Sequence, residues 1–264
     1  MTKLTAISND IFADKAWLRP AGYSFAAGLA TIPVVAAELP SLVPAMPLGF
    51  VKNGSTFDLV AICSLKPSTN LYVAPDGRWL GSYVPAVLRS YPFRLAKAPG
   101  REDSILCIDE GSGAVVGKDH GIPFFDASGE PATALKDILN LLTQIERSSI
   151  ATQAAIAALA SAGLIQPWPL RLQQGDQPAA AVDGLFRIDE AAMNALSEEN
   201  FLKLRGNGAF AVAYAQLLSM HQLGLLQRLD QVQAELKAQA EAQMNALSAL
   251  EGLFQDDGTI TFTY

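Results

Sequence analysis

The feature that most constrains this chain is a change of hydrophobic period near Pro131. Before it, apolar residues come in short runs separated by turn pairs. Phe57-Asp58-Leu59-Val60-Ala61-Ile62-Cys63 and Ser104-Ile105-Leu106-Cys107-Ile108-Asp109 read as strands, with Asn53-Gly54, Asp76-Gly77 and Ser112-Gly113 as turns. After it, Leu135, Ile138, Leu139, Leu142 and Ile145 recur at helical spacing, and an alanine-rich run from 150 to 162 extends the pattern until Gly163, Pro167 and Pro169 end it. That stretch predicts one bent helix or two packed helices. A run patterned for a period of two buries no continuous face as a helix, and the converse holds for a period of 3.6. The expected class is therefore α+β, a β-rich N-terminal half packed with a helical C-terminal half.

Beyond the alanine-rich run, the segment 170–188 predicts two short strands around the polar loop 173–178. Asp189 and Ser197 then stand as helix N-caps, with Ile188 and Met193, and Leu196 and Phe201, spaced as hydrophobic staples. After Gly206-Asn207-Gly208 a long helical pattern carries Phe210, Tyr214, Leu217, Leu218 and Leu225. Leu229, Val232, Leu236, Leu247, Leu250 and Phe254 continue it in a coiled-coil-like rhythm, which Gln239 and Gln243 interrupt at positions expected to be apolar. Asp256-Asp257-Gly258 closes that helix, and Thr259-Ile260-Thr261-Phe262-Thr263-Tyr264 has the alternation of a terminal strand. This divides the chain into an α+β domain over 1–230 and, over 231–264, a helical extension with a β-prone tail. The helix from Leu225 to Phe254 is the expected contact for a protein partner or a second copy.

Composition excludes several classes. Half of the 264 residues are hydrophobic and 17% are charged, enough apolar surface to offset chain entropy over most of the length. A net charge of -7 and a pI near 4.9, with no compensating Lys/Arg run, leave no general attraction to phosphate backbones, so nucleic acid is not an expected partner. The first ten residues lack the apolar core of a secretory signal, which gives a cytoplasmic expectation. Of the two most apolar stretches, 25–50 is interrupted by Pro33, Pro40, Pro44, Pro47 and Glu38, while 150–165 is shorter than the roughly 20 residues a span needs; no membrane span is expected. Cys63 and Cys107, within strand-like apolar runs, are expected as buried reduced thiols.

Arg78, Trp79, Tyr83, Arg89, Tyr91 and Arg94 bring guanidinium and aromatic groups together in sequence. Such groups form a shallow pocket for a small anionic or carbohydrate ligand, because guanidinium pairs with carboxylate and aromatic faces pack on rings. The competing reading is structural: a helix over 82–90 with Pro85 in its first turn would aim Val84, Val87 and Leu88 at the core and leave Arg89 near its carbonyl end. Asp109, Glu110 and Asp126 are the acid/base candidates if the chain is an enzyme, although exposed turns use the same residues. His120 and His221 are the only histidines, and Asp119 merely adjoins the first; neither a metal nor a cofactor is expected. The Gly-x-Ser-x-Gly elbow, the Walker loop and the Gly-x-Gly-x-x-Gly fingerprint are all absent from the sequence.

Asp76-Gly77-Arg78-Trp79 followed by Tyr83-Val84-Pro85-Ala86-Val87-Leu88-Arg89-Ser90-Tyr91-Pro92-Phe93 is similar to the most recognisable pattern of the SapC-like bacterial proteins. Leu106-Cys107-Ile108-Asp109-Glu110, Gly121-Ile122-Pro123-Phe124-Phe125-Asp126 and Gly184-Leu185-Phe186-Arg187-Ile188-Asp189 follow in order, so the resemblance covers roughly 10 to 230. The family name is linked to bacterial surface-layer biology, and its members are often encoded beside outer-membrane nutrient receptors. The resemblance therefore implies a non-catalytic binding or accessory protein of a surface or nutrient-uptake system, with cell-surface association. The alternatives are an enzyme using Arg89 or Arg94 with one of the three carboxylates, and a structural surface-layer component built by contacts between copies.

Overall fold

The computed structural model describes residues 3–97, 104–173 and 178–254, the stretch 249–254 by its backbone only. The Asn53-Gly54 pair closes the first hairpin as its chemistry predicts. Leu48–Asn53 and Thr56–Ile62 pair antiparallel from Leu48 opposite Ala61 to Asn53 opposite Thr56, and Gly54 takes a φ of +59°, the left-handed conformation that a residue without Cβ adopts at least cost. This hairpin is the middle of a five-stranded antiparallel sheet in the order Ile165–Pro167, Leu185–Ile188, Leu48–Asn53, Thr56–Ile62, Thr31–Pro33. Two of its strands come from beyond Pro131. The main sheet thus stitches together the two halves that the periodicity separates.

Two smaller sheets form the other end of the body. Leu4–Ala6, Ser104–Asp109 and Phe93–Lys97 make one; Val115–Gly117, Lys15–Trp17 and Ile122–Pro123 make the second. The segment around the polar loop gives a two-stranded ribbon, Leu170–Leu172 with Ala180–Val182, and the separate strand Leu185–Ile188 follows it. Asp189 and Ser197 act as N-caps: their side chains accept hydrogen bonds from the N–H groups of Ala192 (3.0 Å) and Asn200 (3.4 Å).

The apolar run after Pro131 is one helix, Thr133–Ser161, of 29 residues. At 1.5 Å per residue it is about 44 Å long, long enough to join two cores. Its first half contributes Leu135 and Leu142 to a small core with Phe12, Trp17, Phe93, Ile108 and Phe124. Its alanine-rich second half lays Ala155, Ile156 and Leu159 on the main sheet, where small side chains allow close approach. The Ser148 and Thr152 hydroxyls of this helix accept hydrogen bonds from the N–H groups of Ala37 (3.1 Å) and Ala36 (2.8 Å), fixing the single helical turn Ala36–Glu38 in place.

The long pattern after Gly208 becomes the helix Ala209–Ser219, a tight turn Met220–Gln222 and the 32-residue helix Leu223–Phe254. The continuous helical stretch Ala209–Ser248 holds a window long and apolar enough to cross a membrane by composition alone. Part of its apolar surface is core here: Val212 and Ala213 are buried, and two buried polar side chains clamp the helix to the sheet. Gln216 donates to the Leu48 carbonyl (3.2 Å) and accepts from the Ile188 N–H (2.9 Å), while the Ser219 hydroxyl accepts from the Leu48 N–H (3.0 Å).

The helix Leu223–Phe254 leaves the body gradually. Leu226 and Leu229 are core residues, Asp230 pairs with Lys66 at 2.7 Å, and the buried Gln233 amide donates to the carbonyls of Leu71 (3.0 Å) and Val73 (2.6 Å). From 238 to 248 every side chain is exposed. The expected terminal strand from Thr259 to Tyr264 lies outside the described residues.

Candidate functional site

The arginine and aromatic residues begin on a turn. Val73 bridges to Trp79, and Gly77 between them has a φ of +86°. The Asp76 carboxylate accepts from the Arg78 backbone N–H (3.0 Å) and from its Nε (2.6 Å), so Arg78 is an exposed clamp on its own turn. Those Arg78 contacts hold the Asp76 carboxyl below the usual carboxylate range. Trp79 also faces inward: its ring stacks on Tyr72 with centroids 5.3 Å apart, meets Tyr23 edge-on at 5.6 Å, and its indole N–H donates to the Tyr83 carbonyl (2.8 Å).

Tyr83 leads to a residue that the motif does not contain. Its hydroxyl donates to Glu38 Oε1 (3.0 Å), which also accepts from the Ala86 N–H (2.6 Å), and the second carboxylate oxygen accepts from the Val35 N–H (3.2 Å). Glu38 is buried, so these three donors replace the water its carboxylate gave up. Burial and the Glu38 charge push the Tyr83 hydroxyl above its ordinary range. Arg89 donates to the Tyr83 hydroxyl oxygen (3.3 Å), its guanidinium carbon 5.7 Å from the Tyr83 ring centre.

The helix expected over 82–90 is one turn, Ala86–Arg89, with Pro85 as its N-cap. Leu88 is buried and Val84 packs on the core, but Val87 is 40% exposed, because a single turn offers the core only one narrow face. Arg89 ends that turn as expected. Tyr91 follows, its ring stacked on Phe25 at 3.8 Å and 10°. Arg94 is carried onto the strand Phe93–Lys97, exposed, opposite Cys107.

Arg89 and Tyr91 meet in a cleft of about 390 Å³, closed on its other side by a distant piece of chain that includes Arg19, Gly22, Tyr23 and Phe25. Trp17, Leu88 and Ile138 line it too, and no carboxylate among the described residues does. Arg19 makes no hydrogen bond or ion pair among the described residues. The indole N–H of Trp17, a residue 2% exposed, is buried with no acceptor. Arg78, Trp79, Tyr83 and Arg94 lie outside the cleft lining.

The acid/base candidates are used one by one in turns. Asp109 accepts from the Gly111 N–H (3.0 Å), Glu110 pairs with Lys3 at 2.5 Å, and Asp126 gathers the Ser128 hydroxyl (2.6 Å) with the N–H groups of Ser128 (2.9 Å) and Glu130 (3.1 Å). Lys3 holds Glu110, and the Ser128 contacts hold Asp126, below the usual carboxylate range. Only Asp109 approaches the motif: after burial, its charge is the next influence raising the Tyr91 hydroxyl, with Arg94 opposing it. No hydrogen bond or ion pair joins the three carboxylates to Arg89 or Arg94 among the described residues. Nor do three His, Cys, Asp or Glu residues gather there as for a metal ion. Cys63 and Cys107 are buried free thiols, and burial pushes the Cys63 thiol far above its usual range.

Glu38 was visible in the sequence as the one charge in an apolar, proline-rich stretch, a position that burial tolerates only with partners. Arg19 carried no such signal.

The SapC family model matches residues 7–226, a span that includes the Glu38 contacts, the cleft and both small sheets apart from the strand Leu4–Ala6, and stops just inside the helix Leu223–Phe254. No curated protein and no solved structure matches the chain. With more than four-fifths of its length inside that match, from Ile7 to Leu226, the chain belongs to the SapC family.

Proposed function

We propose that this SapC protein is a non-catalytic accessory protein of a bacterial surface or nutrient-uptake system, and that it works by contact, with a second copy as the occupant of its terminal helix. The observation that carries this reading is the stretch 238–248, a helix exposed on every face whose single charged residue is Glu241. Met244 and Leu247 are 65% and 57% exposed there. Soluble surfaces rarely hold large apolar groups on an isolated rod unless something covers them. Val232, Leu236, Gln239, Gln243 and Leu247 recur at intervals of three and four, which places them on one stripe.

Two glutamines within that stripe favour a second copy. An amide both donates and accepts, so Gln239 and Gln243 satisfy the same residues of an identical helix, and a polar pair in an otherwise apolar seam sets its register. The scattered carboxylates weigh against the enzyme reading, since proton transfer needs an acid or base within reach of the anion-holding arginine. The surface or uptake setting rests on the family's association.

Sedimentation of the full chain against a chain ending at Lys237 tests the proposal. The full chain is expected to be dimeric at about 50 μM and the shortened one monomeric, with thermal midpoints within about 2 °C of each other. A full chain that stays monomeric at that concentration overturns it.

A further inference from the structure

The cleft between Arg19 and Arg89 is an unassigned feature with the makings of a binding site. The protein carries 26 acidic and 19 basic side chains, yet among the described residues this concavity has two arginines in its lining and no carboxylate. A guanidinium without an anionic partner keeps its full capacity for a bidentate one. Arg19 has no protein partner among the described residues, and Arg89 spends one N–H on a neutral hydroxyl. The Trp17 ring lines the cleft, while its indole N–H is closed off from the cleft space and takes no part in it.

The walls are apolar and fixed. Phe25 and Tyr91 stack face to face at 3.8 Å, and Tyr23 stands beside Phe25 with ring centres 6.0 Å apart. The loop carrying Arg19 is pinned on the opposite side, where the Tyr23 N–H donates to the Gly77 carbonyl at 2.7 Å. Gly22 lies so close to that turn that a Cβ would meet the Gly77 carbonyl oxygen at 2.6 Å. The two sides of the cleft are therefore held at a set spacing before anything enters, which lowers the ordering cost of binding.

We propose that this cleft binds a small organic anion, a carboxylate attached to a flat ring, with Arg19 and Arg89 on the carboxylate and the ring against the aromatic wall. The volume of about 390 Å³ suits a ligand of one ring and its substituents.

Titration calorimetry of the full chain with benzoate, its neutral analogue benzamide, and inorganic phosphate tests this. Benzoate is expected to saturate one site. Benzamide, which lacks the charge, and phosphate, which lacks the ring, should each bind at least about tenfold more weakly. Arg19→Gln and Arg89→Gln should each weaken benzoate about tenfold or more. Arg19→Gln guards against a trivial loss of fold, because the exposed Arg19 side chain makes no hydrogen bond or ion pair among the described residues, and its thermal midpoint should match the parent's. Benzoate that fails to saturate by about 10 mM overturns the proposal. So does benzoate binding that survives both arginine replacements, or phosphate binding as tight as benzoate.

Discussion

Tyr83 and Arg89 are joined by a 3.3 Å hydrogen bond, yet the regions on either side of that bond treat polar groups in opposite ways. On the Glu38 side, one buried carboxylate collects the Tyr83 hydroxyl and the N–H groups of Ala86 and Val35. On the cleft side, the exposed Arg19 guanidinium has no acceptor among the described residues. A buried polar group with every partner in place is part of what holds a fold together, while donors left open beside a concavity are available to something else. The same family motif therefore has a closed side and an open side, and only the open side is a place for chemistry with an outside molecule.

The sharpest way to break this contrast is Glu38→Ala. It strands two buried backbone N–H groups and the Tyr83 hydroxyl and leaves a cavity in their midst. At about 1–3 kcal/mol for each buried group left unsatisfied, the loss should reach about 3 kcal/mol or more, read as a lower urea midpoint. Glu38→Gln keeps one acceptor oxygen and should lose less, about 1–2 kcal/mol, because its amide nitrogen turns a donor toward one of the existing donors. Equal and small losses for both would mean that water replaces the carboxylate there, and the closed side would not be closed.

Tyr83→Phe removes one hydroxyl from the shared bond and should cost about 1 kcal/mol. It also frees Arg89 from its one protein partner. Benzoate binding should then hold or tighten while stability falls. A variant that loses binding in step with stability would merge the two regions into one.

How much of this was legible in the sequence follows the range of the interactions involved. The change of period at Pro131, the Asn53-Gly54 hairpin and the Asp189 and Ser197 caps are written in residues a few positions apart, and the structure forms each of them. The main sheet was half legible, since the join between Leu185–Ile188 and Leu48–Asn53 is set by pairing across more than a hundred residues. The site was less legible still. Arg89 and Tyr91 were named, but Arg19 and Trp17 come from a segment about 70 residues away, and nothing local marks them as cleft residues. Conversely, Arg78 and Trp79 looked like ligand groups because guanidinium and aromatic side chains serve packing and binding equally well. Only their partners, Asp76 and Tyr72, separate the uses.

The smallest effect concerns Arg78, the arginine that is already paired. The Asp76 carboxyl is held below its ordinary range, first by the side chain and then by the backbone N–H of Arg78. A carboxyl depressed in the folded state adds stability above its unfolded pKa of about 3.9, and that contribution disappears as pH falls through the folded value. Asp76→Asn lacks the titrating group, so its thermal midpoint should lie slightly below the parent's near pH 7 and converge on it as pH falls below the usual carboxylate range. Every other carboxylate is common to both proteins and cancels in the difference. A gap that stays constant with pH would show that the Asp76–Arg78 contact is geometric rather than ionic, and that Arg78 is as free as Arg19 to meet an anion.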